Sequence, residues 1–229
     1  IQLSRIVDPE ISYTYWNMED PVWGGFSLPK IALRRAVAMS YNAADDIKVI
    51  RNGQAVEATY PIPPGVVGHD PNWKPLNAYD PKTANALLDY FGYKKGADGW
   101  RTLPDGKPLA MTLSSRPDTL GRQQDELWKK SRDAIGIRID VHKDKFPEQL
   151  KAEKACKLQS RVAAWIADYP DGDNFMQLMY GPNTGQSYNG CARIPEYDKL
   201  YEQSVKIPPG PARDQLYRDM TRITEVYAT

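Results

Sequence analysis

Residues 108–142 read PLAMTLSSRPDTLGRQQDELWKKSRDAIGIRIDVH, and this stretch decides the fold class. Apolar residues alternate at both of its ends, as in β-strands: Leu109, Met111 and Leu113 first, then Ile137, Ile139 and Val141. Between them, residues 120–135 have a helical pattern that ends at Gly136. A strand, a helix and a strand with short joins predict two parallel strands with a right-handed crossover. The chain is therefore expected to be an α/β protein.

The flanking segments continue this alternation of strands and helices. Strands are predicted at residues 11–18 and at residues 162–167, the second of which is expected to be buried. Six prolines in residues 59–81 predict a long irregular loop. Helices are predicted at residues 30–41, with Arg34 and Arg35 turned outward, and at residues 44–51, 80–92, 147–154, 195–205 and 212–227.

Composition narrows the class of partner. The chain has 229 residues, 26% of them charged, and a net charge of +1 with lysine and arginine scattered. That balance argues against nucleic acid or an anionic membrane as the main partner. No apolar run approaches the roughly 18 residues of a membrane span. The first residues, Ile1 to Arg5, contain neither an initiator methionine nor a signal peptide, so a fragment of a longer protein is expected.

The strand at residues 162–167 runs into an acidic turn in the sequence WIADYPDGDNF, residues 165–175. This pattern places Asp168, Asp171 and Asp173 at the end of a strand, where ligand sites of α/β proteins are favoured. A carboxylate in this position can bind a cation or an amine. Aromatic rings beside it can cover the apolar part of a ligand.

Two other chemistries were considered for the acidic turn. Glycoside hydrolysis needs two carboxyl groups about 5–10 Å apart, which Asp168 with Asp171 or Asp173 can supply, but Asp-Gly-Asp is more often simple turn chemistry. A calcium loop needs an oxygen ligand and a glycine where Phe175 and Met176 stand, so that pattern fails.

Outside the acidic turn, the sequence contains no recognisable catalytic motif. The two histidines, His69 and His142, lie outside any known nucleophile motif, and no glycine-rich phosphate loop is present. A pair of Cys156 with His142 stays open, although nothing visible in the sequence activates the thiol. Neither cysteine has zinc-ligand spacing. No catalytic residue, metal ligand or cofactor site is therefore predicted.

Aromatic residues and cysteines each leave two interpretations. The chain has six tryptophans and fourteen tyrosines, most of which are expected in the core. Trp16, Trp165 and Tyr169 are predicted at strand ends or turns, where they either line a ligand cleft or simply pack. From spacing alone, Cys156 and Cys191 are either two free thiols or one disulfide.

Five segments, in order along the chain, resemble the dipeptide- and oligopeptide-binding proteins of bacterial ABC importers, solute-binding family 5. The acidic segment resembles the family's W-x-x-D-Y-x-D-P-D-N-F motif, with Gly172 in place of the usual proline. The match extends over essentially the whole chain. The other four segments are LRRAVAMSYN (33–42), PIPPG (61–65), YDPKTANALLDYFGY (79–93) and PEYD (195–198).

The resemblance implies a binding protein rather than an enzyme. It implies a periplasmic-binding-protein-like fold in which residues 1–229 form the C-terminal lobe, a mixed sheet flanked by helices, without the N-terminal lobe and export signal. The protein is then expected to be a periplasmic monomer that hands a small solute to the membrane permease of an ABC importer. Peptide is the first choice of ligand, and oligosaccharide is the alternative. Relatives also bind nickel, but two histidines argue against that here.

The resemblance also assigns roles to individual residues. In peptide-binding relatives, the aspartate at the position of Asp168 pairs with the α-ammonium of the peptide, and Trp165, Tyr169 and Trp16 are expected around it. Asp171 and Asp173 then become turn and cap residues. Export to an oxidising periplasm implies a disulfide between Cys156 and Cys191. That bridge is expected to help hold Asp168 in place.

Overall fold

The structure, a computed structural model, describes residues 6–229. The N-terminal stretch, residues 1–5, lies outside the described residues. The sheet has four strands: β1 (Glu10–Trp16), β2 (Ala110–Ser115), β3 (Arg138–Lys143) and β4 (Ser160–Ile166). Their spatial order is β1-β4-β2-β3, with β2 parallel to both of its neighbours and β1 antiparallel to β4. The predicted mixed α/β sheet is therefore confirmed.

Helices flank this sheet close to the predicted positions. Two short 3₁₀ turns follow α6, and a π-helical turn (Asp46–Ile50) follows α2. No helix among residues 6–229 is both long and apolar enough to cross a membrane. The α-helices are α1 (Leu28–Ser40), α2 (Ala43–Asp45), α3 (Pro81–Tyr90), α4 (Thr119–Ile135), α5 (Phe146–Lys154), α6 (Asp173–Met176), α7 (Pro195–Ser204) and α8 (Pro211–Tyr227).

Local capping explains where α2, α3 and α4 begin and where α4 ends. The side chains of Asn42, Asp80 and Asp118 accept hydrogen bonds from backbone N–H groups three residues ahead, at 3.2, 3.0 and 2.7 Å. Gly136 ends α4 with a φ of 72°, a left-handed conformation that glycine adopts without steric cost. The β2-α4-β3 unit therefore forms as its sequence predicts.

Two hydrophobic cores hold the helices in place. In the first, Met111 and Leu113 of β2 pack with Leu33 of α1, Leu88 of α3 and Trp128 of α4. The second core joins α6, α7 and α8 to the proline-rich loop, and its members include Tyr60, Ile62, Phe175, Met176, Tyr197, Tyr217 and Met220. Because Phe175 and Met176 belong to this core, the segment after the acidic turn is anchored by burial.

Two predictions about burial are wrong. Arg34 is 0% exposed rather than turned outward, because its guanidinium donates to the carbonyl oxygens of Trp23, Gly25, Tyr227 and Ala228. This burial lowers the pKa of Arg34 to about 10. Strand β4 is only partly buried, and its last residue, Ile166, is 63% exposed.

Candidate functional site

The chain forms a crevice at the carboxyl end of β2, between helices α4 and α5. Helix α4 packs through Trp128 on the face of β2 that carries Leu113. Arg161 of β4 is in register with Ser114, whose side chain lies on the opposite face, and Glu153 of α5 binds Arg161 at 2.7 Å. The connections that follow β2 and β3 therefore lie on opposite faces of the sheet. In α/β sheets, ligands bind where neighbouring strands send their connections in opposite directions.

A cleft of about 440 Å³ lies at this crevice. Its volume is in the range of small-molecule sites. Its lining includes residues 161–165 of β4, parts of β1, α4 and α5, and the segment after β2 that contains Arg116. A loop of residues 186–189 contributes Gln186, Ser187 and Asn189. Asp168 is not among the lining residues, and it follows Trp165 by three positions.

Asp168 itself is exposed and is held by one buried amide. Its backbone N–H donates to Oδ1 of Asn174 at 3.1 Å, and Nδ2 of Asn174 donates to Oδ2 of Asp168 at 3.3 Å. The same Oδ1 accepts a hydrogen bond from Nε1 of Trp165 at 2.9 Å. Among the ion pairs formed within residues 6–229, none includes Asp168. The turn therefore presents an ionisable carboxylate with no cation of its own.

The other two carboxylates of the turn have structural partners. Asp171 binds Arg213 at 2.5 Å and accepts a hydrogen bond from the hydroxyl of Tyr217 at 3.3 Å. Burial alone would raise the pKa of Asp171, but the hydrogen bond from Arg213 leaves that pKa below its usual value. Asp173 accepts a hydrogen bond from the hydroxyl of Tyr169 at 2.9 Å, and burial followed by the charge of Asp171 raises its pKa.

These contacts bear on the hydrolase alternative. A retaining or inverting glycosidase needs a second carboxyl group that is free to act as acid, base or nucleophile. Asp171 forms an ion pair with Arg213, and Asp173 accepts a hydrogen bond from Tyr169. Both carboxylates therefore fix the shape of the turn, and the geometry gives a paired-carboxylate mechanism no support.

The structure brings together three of the four predicted ligand residues. Trp165 and Tyr169 flank Asp168 in sequence; Trp165 shares the amide of Asn174 with Asp168, whereas Tyr169 donates to Asp173 of the same turn. Trp16 is 5% exposed, stacks on Trp23 with ring centroids 4.5 Å apart, and borders a separate cavity of about 380 Å³. It pairs with Ser160, at the opposite end of β4 from Asp168. The expectation that Trp16 lies with the other three is therefore not met.

Sequence reasoning missed two residues of this region. Asn174 reads as an ordinary turn residue, and nothing in the sequence shows that its amide contacts both Trp165 and Asp168. Arg116 reads as one scattered charge, but it follows β2 and lines the cleft. The available signal for Arg116 was its position just after a predicted strand of a parallel pair, where strand ends meet at one edge.

The predicted disulfide between Cys156 and Cys191 is present, with a Cα–Cα distance of 6.0 Å. The hypothesis of a Cys156–His142 catalytic pair is therefore wrong, since the sulfur of Cys156 is bonded to Cys191. Cys156 precedes β4, whereas Asp168 follows it. The bridge thus ties the end of α5 to the segment after the 186–189 loop, and the expectation that it holds Asp168 in place is wrong.

Each of the two histidines contacts a neighbouring residue through one ring nitrogen. Nδ1 of His69 lies 2.6 Å from the carbonyl oxygen of Ile62, and Nε2 of His142 lies 2.9 Å from Asp144 near the surface. Within residues 6–229, no group of three or more histidine, cysteine, aspartate or glutamate side chains is arranged to hold a metal ion.

Comparison with known proteins adds to this geometry. Residues 3–187 match the family model of bacterial extracellular solute-binding proteins, family 5, middle. The chain is 31% identical over 183 residues to di/tripeptide-binding protein 2 of Pseudomonas aeruginosa, covering 79% of this chain and 32% of that relative. It is 24% identical over 178 residues to the oligopeptide-binding protein OppA of Bacillus subtilis, covering 77% of this chain and 32% of OppA.

Solved structures share the same fold. The Helicobacter pylori protein DppA in complex with the peptide STSA superposes with a TM-score of 0.81 at 22% identity, covering 96% of this chain and 40% of DppA. Campylobacter jejuni NikZ in complex with Ni(L-His) gives a TM-score of 0.83 at 18% identity, covering 98% of this chain and 44% of NikZ. The chain thus spans about a third of the length of these curated relatives, 32% in both cases.

Proposed function

Because this chain belongs to the bacterial extracellular solute-binding proteins of family 5, we propose that it is the C-terminal ligand-binding lobe of a peptide-capturing component of an ABC importer. In this proposal the whole protein is periplasmic, binds a short peptide without changing it, and delivers it to a membrane permease. Two relatives named as peptide-binding proteins support the choice of peptide as ligand.

The observation that carries the proposal is the unpaired carboxylate of Asp168. It stands at the carboxyl end of β4, beside Trp165 and Tyr169, and forms no ion pair with any described residue. An ammonium group that leaves water needs a carboxylate of this kind, since an unpaired buried charge is very costly. The free amine of a peptide is such a group.

Arg116 offers a positive charge for the carboxylate at the other end of a peptide. Arg116 follows β2, the strand adjacent to β4, and its side chain lines the cleft. Its carboxylate partner is Asp118 at 3.4 Å, and both side chains are about half exposed, so this pair holds the guanidinium only weakly. Arginine binds carboxylates in a bidentate manner. With Arg116 in the lining of the cleft and Asp168 three positions after the lining residue Trp165, the region offers one charge of each sign, which suits a zwitterion with a free amine and a free carboxylate.

The aromatic residues favour peptide over oligosaccharide. Sugar binding depends on exposed ring faces, and Trp16 is buried in a stack with Trp23. The indole of Trp165 is half-buried, and its N–H is committed to Asn174. Tyr169 is the one predicted ligand aromatic with a large exposed surface, at 46%.

Calorimetric titration of the full-length protein tests the proposal. A set of di- and tripeptides would be compared with the N-acetylated form of the best binder. We expect Asp168→Ala to weaken binding of the free peptide by about 2–5 kcal/mol, because it leaves a desolvated ammonium without a partner. N-acetylation should cost the wild-type protein a similar amount. Asp140→Ala, which removes an exposed carboxylate from β3, is the matched control and should leave affinity unchanged.

Two results would contradict peptide capture. One is equal affinity of the wild-type protein for the free and the N-acetylated peptide. The other is a sugar, found by mass spectrometry as the ligand carried through purification. Turnover of a bound peptide that Asp168→Asn abolishes would instead indicate an enzyme.

A further inference from the structure

Asn174 occupies an unusual position for a polar side chain. It lies in α6, is 1% exposed, and its side-chain amide contacts three groups at the site of Asp168. Oδ1 accepts from Nε1 of Trp165 at 2.9 Å and from the backbone N–H of Asp168 at 3.1 Å, and Nδ2 donates to Oδ2 of Asp168 at 3.3 Å. A single buried amide thus connects the end of β4, the backbone of the turn and the exposed carboxylate.

The orientation of this amide follows from its neighbours. The indole N–H of Trp165 and the backbone N–H of Asp168 can only donate, so the oxygen of Asn174 must face them. Its NH₂ group must then face the carboxylate of Asp168. A serine hydroxyl is too short to reach all three groups, and a carboxylate in this position would repel Asp168. An amide is the side chain that accepts twice on one side and donates on the other.

The amide is also held on a rigid support. Phe175 and Met176, the next two residues, are buried in the second core, and the hydroxyl of Tyr197 donates to the carbonyl oxygen of Met176 at 2.6 Å. The ion pair of Asp171 with Arg213 anchors the start of the same turn. The backbone of Asn174 is therefore anchored on both sides, and its amide is presented to Asp168 from a fixed support.

Asp168 depends on this support. Its side chain is exposed, and within residues 6–229 its carboxylate accepts a hydrogen bond only from Asn174. Without that bond the carboxylate rotates freely in water and loses conformational freedom when it meets a ligand. A group that is already fixed in its bound orientation binds more tightly, since less ordering remains to be done on association.

We propose that Asn174 is the positioning residue of this site, which fixes the Asp168 carboxylate for capture of a ligand ammonium. The proposal rests on the proposed function, because it assumes that Asp168 binds an amine. It adds a specific consequence: Asn174 sets the preference for a free amine over a blocked one. A merely structural residue would lower stability and would leave that preference intact.

The test measures amine preference rather than affinity alone. The full-length protein would be titrated with the tightest-binding peptide of the di- and tripeptide set and with its N-acetylated form. We expect Asn174→Ala to reduce the ratio of the two affinities by about tenfold, the equivalent of one hydrogen bond to a charged group. Affinity for the N-acetylated peptide should stay unchanged. On an Asp168→Ala background, Asn174→Ala should have no further effect on either peptide.

A matched control separates positioning from folding. Asn17, also buried, donates from Nδ2 to the carbonyl oxygen of Cys156 at 2.7 Å, at the far end of the sheet. Asn17→Ala should lower thermal stability and leave the affinity ratio unchanged. Asn174→Ser is a second variant, whose hydroxyl cannot reach the Asp168 carboxylate, and it should behave as Asn174→Ala.

The other possible outcomes contradict either amine recognition by Asp168 or positioning by Asn174, and they can be told apart. If the wild-type protein does not prefer the free amine, amine recognition by Asp168 fails and the role of Asn174 fails with it. If the wild-type protein prefers the free amine but Asn174→Ala keeps the same ratio, only the positioning role is overturned. Failure of both Asn174 variants to fold would assign the residue a structural role and overturn the proposal as well.

Discussion

Removal of the disulfide between Cys156 and Cys191 should lower stability by an amount that the chain topology sets. The bridge closes a loop with a sequence separation of 35 residues. The chain-entropy relation gives about 4 kcal/mol for a loop of this size. With an unfolding entropy of about 2.1 cal/mol/K per residue, the 229-residue chain has about 0.5 kcal/mol/K in total. The expected fall in melting temperature is therefore about 8 °C.

The double variant Cys156→Ser/Cys191→Ser should still fold. Both half-cystines have positive φ angles, 55° and 53°, and serine carries the same backbone restriction as cysteine, so the substitution adds no backbone strain. The segments on both sides keep other contacts, because Asn17 donates to the carbonyl oxygen of Cys156 and the N–H of Met18 donates to that of Gly190. The loss is thus confined to the covalent constraint on the unfolded chain.

Urea unfolding of the two proteins, each with and without a reducing agent, measures the effect. The reducing agent should shift the midpoint of the wild-type protein to that of the variant and leave the variant unchanged, which serves as an internal control. Equal midpoints for the oxidised wild-type protein and the variant would refute the reasoning. So would two free thiols per unfolded, unreduced wild-type chain.

Two further predictions concern buried polar groups. Arg34→Met should destabilise the chain by about 3–5 kcal/mol in urea unfolding, because it leaves buried carbonyl oxygens without a donor. Arg35→Met, at the neighbouring half-buried position, is the control and should cost about 1 kcal/mol. Equal losses of stability in the two variants would contradict this account. Burial raises the pKa of Tyr13, Tyr60, Tyr93 and Tyr201 to about 12, so their contribution to stability is complete below about pH 10 and is lost as the pH rises through about 12. The melting temperature should fall between about pH 10 and pH 12, and tyrosinate absorbance should appear together with unfolding. Ionisation of these tyrosines below about pH 12 in a chain that remains folded would contradict this prediction.

Elements with local signals could be predicted from the sequence, and they were. The β2-α4-β3 unit was predicted from the alternation of its strands, the helical pattern between them and Gly136, and the structure adds a cap at Asp118. The helix that begins after Asp80 is fixed by a hydrogen bond to a residue three positions ahead. These caps and the terminal glycine act within one turn of the groups they contact, so the sequence contains the whole of each of those interactions.

Arg34 shows why other features could not be predicted. Its guanidinium binds the carbonyl oxygen of Tyr227, 193 residues further along the chain. Helical periodicity assigns arginine to the solvent face because burial of an unpaired charge is costly, and it contains no information on carbonyl groups that another segment supplies. The prediction that Trp16 lies with the other ligand residues was wrong for a related reason. The two ends of a strand look alike in sequence, and only the antiparallel pairing of β1 with β4 shows that Trp16 lies at the end opposite Asp168.

The resemblance to a known family predicts a ligand role for Asp168, and the structure shows that this carboxylate has no cationic partner among the described residues. Asp171 and Asp173 have the same chemistry and lie within five residues of Asp168, yet Asp171 forms an ion pair with Arg213 and Asp173 accepts a hydrogen bond from Tyr169. The three carboxylates are distinguished by partners that lie on other elements or across the turn. Sequence alone treats them as equivalent, and only Asp168 remains without a cation among the described residues.

The two ends of β4 differ in the contacts that surround them. At its amino end lie the disulfide, the stack of Trp16 on Trp23 and the buried amide of Asn17. At its carboxyl end Ile166 and Tyr169 remain exposed, and the polar network of Asn174 holds Asp168. Stabilising contacts that are concentrated at the amino end of β4 allow its carboxyl end to keep exposed apolar and charged groups, which folding alone would not favour. The exposed edge is therefore the part of the sheet best suited to contact a ligand.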